Sequence, residues 1–304
     1  MTLTFSVVTP SYSQGQFIER TIQSVLIQAG VSLEYVVCDG GSTDSTVSIL
    51  NRYQGRLCWV SETDDGQADA VNKGLAMITG DIIAWLNSDD VYYPGALAKV
   101  AAVFEANPNL QVVYGKADWI DDHDAVLKIF PTECWHYNRL KEVCFLCQPA
   151  VFFRRALVER YGGLDKTLQY CMDYELWLRY GQYTDFYFLP EKLAGSRMYA
   201  SNKTMGKTLD AHAEINRMLE TKLGKIPANW LLGYALVKVE KTYGISRYDR
   251  TRTYRFVCLL VQYSCRELIA HNRLAFLKIL PKMVFWFLMP DQAWFRREDI
   301  LALV

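Results

Sequence analysis

The chain has no net charge, because 33 lysines and arginines meet 33 aspartates and glutamates among its 304 residues. With aromatics at 13%, that neutrality argues against a disordered chain and against a dedicated nucleic-acid binder. The familiar phosphate loops are missing. There is no Gly-x-x-x-x-Gly-Lys-Ser/Thr, and Asp39-Gly40-Gly41 does not satisfy Gly-x-Gly-x-x-Gly, so P-loop and dinucleotide readings fall away. Cysteines are present, eight of them, but no disulfide framework is. They are scattered beside apolar or aromatic residues, and the single Cys-x-x-Cys, Cys144 and Cys147, has no second pair or nearby histidine to complete a zinc set. Reduced, buried thiols and a cytosolic setting are expected. No basic leader or cleavage pattern precedes the short strand Phe5 to Thr9, so no signal peptide is expected. The most apolar stretch, Arg273 to Met289, is interrupted by Lys278, Pro281 and Lys282, unlike a transmembrane helix.

What the chain does have is an acidic corner. The apolar run Ile82-Ile83-Ala84-Trp85-Leu86 feeds directly into Asn87-Ser88-Asp89-Asp90. A buried strand that ends in adjacent carboxylates needs a counter-charge, which points to a divalent metal or a polyphosphate. Two earlier segments share this grammar. Phe5-Ser6-Val7-Val8 leads into Thr9-Pro10-Ser11-Tyr12, and Leu33 to Cys38 leads into Asp39-Gly40-Gly41-Ser42. Helical periodicity follows each, over 17–27 and 46–53, and a short strand at 57–60 delivers Asp64 and Asp65 before a helix over 68–78. This βαβ pattern predicts an open, mostly parallel sheet covered on both faces, with ligand beyond the carboxyl ends of the strands. Helix 94–104 and strand 111–114 complete that half. Further on, strands are expected at 150–153 and 186–190 and helices at 155–161, 174–180 and 208–223. Beyond Pro227 the chain reads as helical and aromatic.

Folding would gather Asp39, Asp64 or Asp65, Asp89 and Asp90 along one sheet edge. One acidic turn residue is usually a cap or a solvated loop, but four coincident placements indicate a site. A nucleoside diphosphate bound through Mg²⁺ or Mn²⁺ suits them: carboxylates hold the metal while another Asp accepts from base or ribose donors.

Five motifs in order resemble an inverting family 2 glycosyltransferase of the GT-A fold. They are Val7-Val8-Thr9-Pro10-Ser11-Tyr12, Asp39-Gly40-Gly41-Ser42-Thr43-Asp44-Ser45-Thr46, Asp69-Ala70-Val71-Asn72-Lys73-Gly74, Leu86-Asn87-Ser88-Asp89-Asp90 and the pair Gly162-Gly163-Leu164-Asp165 with Met172-Asp173-Tyr174-Glu175-Leu176-Trp177-Leu178-Arg179. The resemblance implies a GT-A catalytic domain over 1–205, with a nucleotide-binding half at 1–115 and an acceptor-side half at 116–205. It implies transfer of a sugar from a nucleotide donor, UDP-linked, to a saccharide or lipid-linked saccharide acceptor with anomeric inversion. Thr9, Pro10 and Tyr12 would border the nucleotide, Asp39 would read the pyrimidine, and Asp64 and Asp65 would lie at base or ribose. Lys73 would orient the acidic loop or approach phosphate. The Asp-x-Asp metal signature stands here as Asn87-Ser88-Asp89, which leaves Asp89 as the metal ligand and Asp90 in reserve. Asp173 matches the catalytic base; Met172 replaces the acidic residue that usually precedes it. Tyr199 stands where many relatives carry histidine, and Arg197 or Lys203 would balance diphosphate charge. Trp135 is the aromatic residue best placed for an acceptor. The alternative is a noncatalytic nucleotide-sugar binding module, since Asn87, Met172 and Tyr199 depart from the pattern.

The neutral total conceals an asymmetry: residues 1–240 carry 22 basic against 28 acidic side chains, and residues 241–304 carry 11 against 5. The helical extension, 206–304, is therefore expected to make a separate contact. Its basic, aromatic composition suits an anionic membrane surface on the cytoplasmic face, and equally a helical pair covering the protein's own core or a homodimer interface.

Overall fold

The computed structural model describes residues 3–199, 202 and 206–289. Lys203, Arg296 and Arg297 lie outside the described residues. The chain divides into two compact units, residues 1–137 with 145–202, and residues 138–144 with 203–304. The segment 138–144, which the sequence reading gives to the acceptor-side half, thus groups with the helical unit.

The first unit is built on a nine-stranded sheet. β1 (Thr4–Ser11) lies between β2 (Ser32–Asp39) and β4 (Ile82–Trp85), and β3 (Cys58–Ser61) flanks β2, all in parallel. Alternation along these strands sorts their side chains. Phe5, Val7, Tyr35, Val37, Ile82 and Ala84 enter one core with α1 (Ile18–Leu26), α2 (Thr46–Arg52) and α4 (Ala96–Ala106). On the other face α3 (Gln67–Met77) packs against β1 and β2, close enough that a Cβ on Gly74 would collide with Val8.

The sheet is mixed, not mostly parallel. β8 (Val151–Arg154) inserts antiparallel between β4 and β6 (Val112–Ile120), the two-residue β5 (Val91–Tyr92) pairs antiparallel with β9 (Phe186–Arg197), and β7 (Val126–Ile129) pairs antiparallel with β6. The expectation fails beyond β4 because strand direction follows the path of the chain, which local periodicity does not record. β9 runs well past Pro190 because its ladder with β6 slips there: Leu189 faces Gly115 and Lys192 faces Lys116, leaving Pro190 unpaired at a bulge. The short helix α6 (Arg155–Tyr161) and then α7 (Met172–Tyr180) complete these connections, while α5 (Tyr137–Glu142) falls from residue 138 onward in the second unit.

The second unit contains α8 (Thr208–Leu223), α9 (Ala228–Tyr243), α10 (Thr253–His271) and α11 (Arg273–Leu288), with consecutive members packed on one another. Among the described residues no helix is long and apolar enough to cross a membrane. Cys58 and Cys134 are exposed where buried thiols were expected.

Candidate active site

Parallel register sets the carboxyl ends of three strands side by side: Ser11 faces Asp39, and Asp39 faces Ser61. The Asp39 carboxylate is buried and accepts from the Ser42 amide at 2.9 Å, the Ser42 hydroxyl at 2.5 Å and the Ser61 hydroxyl at 2.6 Å. A carboxylate has about four lone-pair positions, so Asp39 retains room for a further donor. Next to it, the Asp64 carboxylate closes over Gly40, and any Cβ there would come within 2.7 Å of Asp64 Oδ2. Asp64 also accepts from the Gly66 amide at 2.8 Å, whereas Asp65 is exposed. The structure thus separates two residues that the sequence could not rank. Lys73 binds Glu62 at 2.9 Å and Asp69 at 3.4 Å, orienting the acidic loop. Tyr12 stands 67% exposed beyond the end of β1.

The corner after β4 is more tightly built. Asn87 Oδ1 accepts from the Trp85 indole at 2.9 Å and from Gln67 at 2.8 Å, while its Nδ2 donates to Asp90 at 3.2 Å and Gln148 at 3.0 Å. Asp90 is buried and also accepts from the Arg197 amide at 2.8 Å. The Arg197 guanidinium is buried too. It donates to the Asp89 carbonyl at 2.7 Å, the Asp121 carbonyl and the Asp124 carboxylate, and lies over the Phe17 ring at 4.7 Å. Asp89 differs: half-buried, its carboxylate accepts from the Tyr199 hydroxyl at 2.9 Å. Burial raises both carboxyls, and burial together with the charge of Asp89 lifts Asp90 to about 8. A pair this short of counter-charge favours a cation beside its more open member, Asp89.

The third component is the start of α7. Asp173 occupies the first turn, with Cys171 at the N-cap position, so it is not the cap that a lone helix-start Asp would suggest. Its half-buried carboxylate accepts from its own and the Tyr174 backbone N–H groups, yet burial outweighs both and raises it to about 6. The helix is anchored from its own far turn. Arg179 grips Glu175 at 2.8 Å and the carbonyls of Gly162 and Gly163 at 3.1 and 2.6 Å. From the other side Asn72 of α3 donates to the Leu164 carbonyl and accepts from the Leu164 amide, both at 2.8 Å. Only glycine fits at 163, since a Cβ would collide with Asn72 Oδ1. Lys166 pairs with the buried Asp69, also on α3. The loop leading to Asp173 is therefore tied to the helix whose first residue, Gln67, holds Asn87.

Several expectations change. Thr9 does not border a ligand with its side chain: it is buried, 3.2 Å from the Tyr35 hydroxyl, and Pro10 is buried as well. Ser88 is buried with its carbonyl taken by Thr21. The Arg197 guanidinium is buried, with donors committed to Asp89, Asp121 and Asp124. The Asn87 side chain is taken up by its network of four bonds, and Asp90 is buried beneath it, which leaves Asp89 as the more open carboxylate of the corner. Trp135 stacks on Phe186 at 4.0 Å and donates to Asp185, which uses one face and its N–H inside the fold. Among the described residues no group of three or more His, Cys, Asp or Glu converges. Any metal here would rest on Asp89, with its other ligands supplied by donor and water. The residues that sequence reasoning left without a role are Asn72, Arg179, Glu175 and Gln67. Spacing gave a signal for one of them, since Asp69, Asn72 and Lys73 share a face of α3.

Residues 6–162 match the family model described as Glycosyl transferase family 2. An uncharacterized glycosyltransferase of Rickettsia prowazekii is 27% identical over 212 residues, 66% of this chain and 65% of that protein. One from Mycobacterium tuberculosis is 31% identical over 180 residues, 58% of this chain and 68% of that protein. The chain thus spans just under two thirds of the length of the Rickettsia relative. Among solved structures, Staphylococcus aureus TarS 1–349 in complex with UDP-GlcNAc superposes with a TM-score of 0.60 at 17% identity, covering 95% of this chain and 88% of that one. The Pyrobaculum calidifontis mannosyltransferase PcManGT, in complex with GDP-Man and Mn²⁺, gives 0.57 at 17% identity, covering 100% and 86%. At such identities these two show a shared GT-A-type fold.

Proposed function

Since the chain belongs to glycosyl transferase family 2, we propose that it transfers a sugar from a nucleoside-diphosphate donor to a hydroxyl of a saccharide or lipid-linked saccharide, with inversion at the anomeric carbon. The observation that carries this reading is Asp173. It is a half-buried carboxylate with a pKa raised to about 6, held on a helix that is pinned through Asn72 and Lys166 to the donor-side helix α3. A base poised near neutrality can take the acceptor proton and still be ionised at working pH. The acceptor oxygen attacks the anomeric carbon on the face opposite the diphosphate and forms the new C–O bond as the bond to phosphate breaks. Its proton passes to Asp173, and the nucleoside diphosphate departs.

Asp39 and Asp64 take the base and ribose in this reading, with Tyr12 flanking them, and a uracil ring N–H suits the lone pair that Asp39 has left. Asp89 would hold a divalent cation, Mg²⁺ or Mn²⁺, which when bound would neutralise charge at the leaving diphosphate. The Mn²⁺ bound by PcManGT and the UDP-GlcNAc bound by TarS are consistent with these assignments. The protein would work in the cytoplasm, where nucleotide sugars are its substrates.

A donor screen against soluble and lipid-linked acceptors, followed by anomeric analysis of the product, tests the proposal. An inverted product whose formation is abolished by Asp173→Asn is expected. A retained configuration defeats the mechanism. Donor binding without transfer to any acceptor favours the noncatalytic module that the substitutions at Asn87, Met172 and Tyr199 would suit.

A further inference from the structure

We infer that α11 is an interfacial helix that lays an exposed apolar face into an anionic lipid leaflet. Met283 and Trp286 are buried, and Phe276 and Ile279 half-buried, at the three- and four-residue spacing of a stripe packed toward α10. That stripe satisfies the helix's need for a core. A second apolar surface nevertheless faces water: Leu274 is 76% exposed, Leu277 65% and Leu288 68%, with Val284, Phe285 and Phe287 exposed alongside. So much exposed apolar area on one helix marks an interaction surface.

Charge selects the occupant. From Arg273 to Met289 there is no acidic residue, while Arg273, Lys278 and Lys282 are all exposed among the apolar side chains. In a symmetric contact with a second copy, the helix would bring these cations against one another with no carboxylate of its own to pair them. Lipid phosphates supply the missing anions, and lysines reach them by snorkelling while the leucines enter the acyl boundary. At 16 residues the helix is about 24 Å long, short of the ~30 Å hydrocarbon core, and Pro281 interrupts its ladder, so it lies in the interface plane instead of crossing it. The neighbouring surface continues the pattern. The exposed Tyr254 ring meets Phe287 at 5.6 Å, and Arg250, Arg252 and Arg255 are exposed close by in sequence.

The test uses the full chain and vesicle sedimentation, which needs no turnover and so stands apart from the transfer reaction. Binding to phosphatidylglycerol vesicles is expected to exceed binding to phosphatidylcholine vesicles by about tenfold or more and to weaken at high salt. Leu277→Asp with Phe285→Asp should abolish it, and Lys278→Gln with Lys282→Gln should lower it several-fold and flatten its salt dependence. All four positions are exposed, and unchanged thermal melts would show that the variants fold. The inference is overturned if the protein ignores anionic vesicles at low salt, or if the Leu277/Phe285 variant binds them as the parent does. It is also overturned if ultracentrifugation without lipid shows a dimer that this variant dissolves while vesicle binding is absent.

Discussion

Asp90 and Asp173 are both carboxyls that burial lifts far above the ordinary range, to about 8 and about 6, but the surroundings differ in kind. Around Asp90 the protein has placed a backbone amide, a side-chain amide and, beyond Asp89, an arginine that donates to two carbonyls and the Asp124 carboxylate. Around Asp173, among the described residues, it has placed the backbone N–H groups that a helix start offers in any case. A raised pKa therefore does not by itself separate a carboxylate that holds the fold from one that can do chemistry. The origin of the donors and the exposure do: Asp90 is buried and closed in by Asn87 and by Arg197 from other elements, whereas Asp173 is half-buried, held by its own helix start, and open.

The largest effect should fall on the open carboxylate. Asp173→Asn is expected to lower turnover by about 10²–10⁴-fold with donor affinity changed only a few-fold, measured by transfer assay and calorimetry. In the parent protein the acid limb of the turnover profile should fall near pH 6, because protonation of Asp173 removes the base. If Asp173→Asn instead weakened donor binding and left turnover intact, Asp173 would belong with the closed set.

Asp89→Asn should come next, weakening metal-dependent donor binding by about tenfold or more, since it removes the one acid of the corner placed to meet a cation. Calorimetry with and without Mn²⁺ checks this; a loss of affinity equal in both would assign Asp89 to packing.

The closed set should be felt in stability. Arg197→Lys gives up the fork that spans Asp89, Asp121 and Asp124, and should cost about 2–4 kcal/mol by denaturant unfolding. Melting unchanged by it would dissolve the distinction between the two carboxylates.

The smallest effect has the opposite sign. The folded Asp173 carboxyl titrates above its unfolded value, so folding at neutral pH carries the penalty of a buried charge, and that penalty is relieved as pH falls from about 6 toward 4. Asp173→Asn should therefore stabilise the protein by about 1–3 kcal/mol at pH 7.5, with the gain shrinking toward pH 4. A variant less stable than the parent at pH 7.5 would contradict the burial of Asp173.

The strands that present the site were legible because each couples an alternating or continuous apolar run to a turn, and β1, β2 and β4 do so without interruption. β5, β7 and the second half of β9 were not. β7 is exposed along its whole length, β5 has two residues, and Pro190 disguises a strand that tolerates it only at a bulge. Thr9 is instructive because its true position was legible in the chain: it follows Phe5 and Val7 at a period of two and so points where they point, into the core. Arg197 carried no such clue. Its role depends on the pairing of Ile120 with Arg197 across sheet neighbours 77 residues apart, which no local pattern encodes. The resemblance supplied the motif positions, but only packing reveals that Asn72 and Arg179 hold the loop before Asp173 from opposite sides.

The turn between β6 and β7 shows where variation in this protein should be intolerable despite being on the surface. Asp121 caps the amides of His123 and Ala125, Asp124 takes a left-handed conformation at φ 69°, and Arg197 reaches out from the interior to both Asp121 and Asp124. Hairpin tips are ordinarily the places where a chain accepts extra residues or a spliced tag. Here the loop is measured from beneath by a rigid, planar cation of fixed reach, so one residue inserted at 122–123 would lift its far anchor away and pass the disturbance inward to the Asp89 carbonyl. A loop whose sequence faces solvent is thus, in its length, under the control of the active corner.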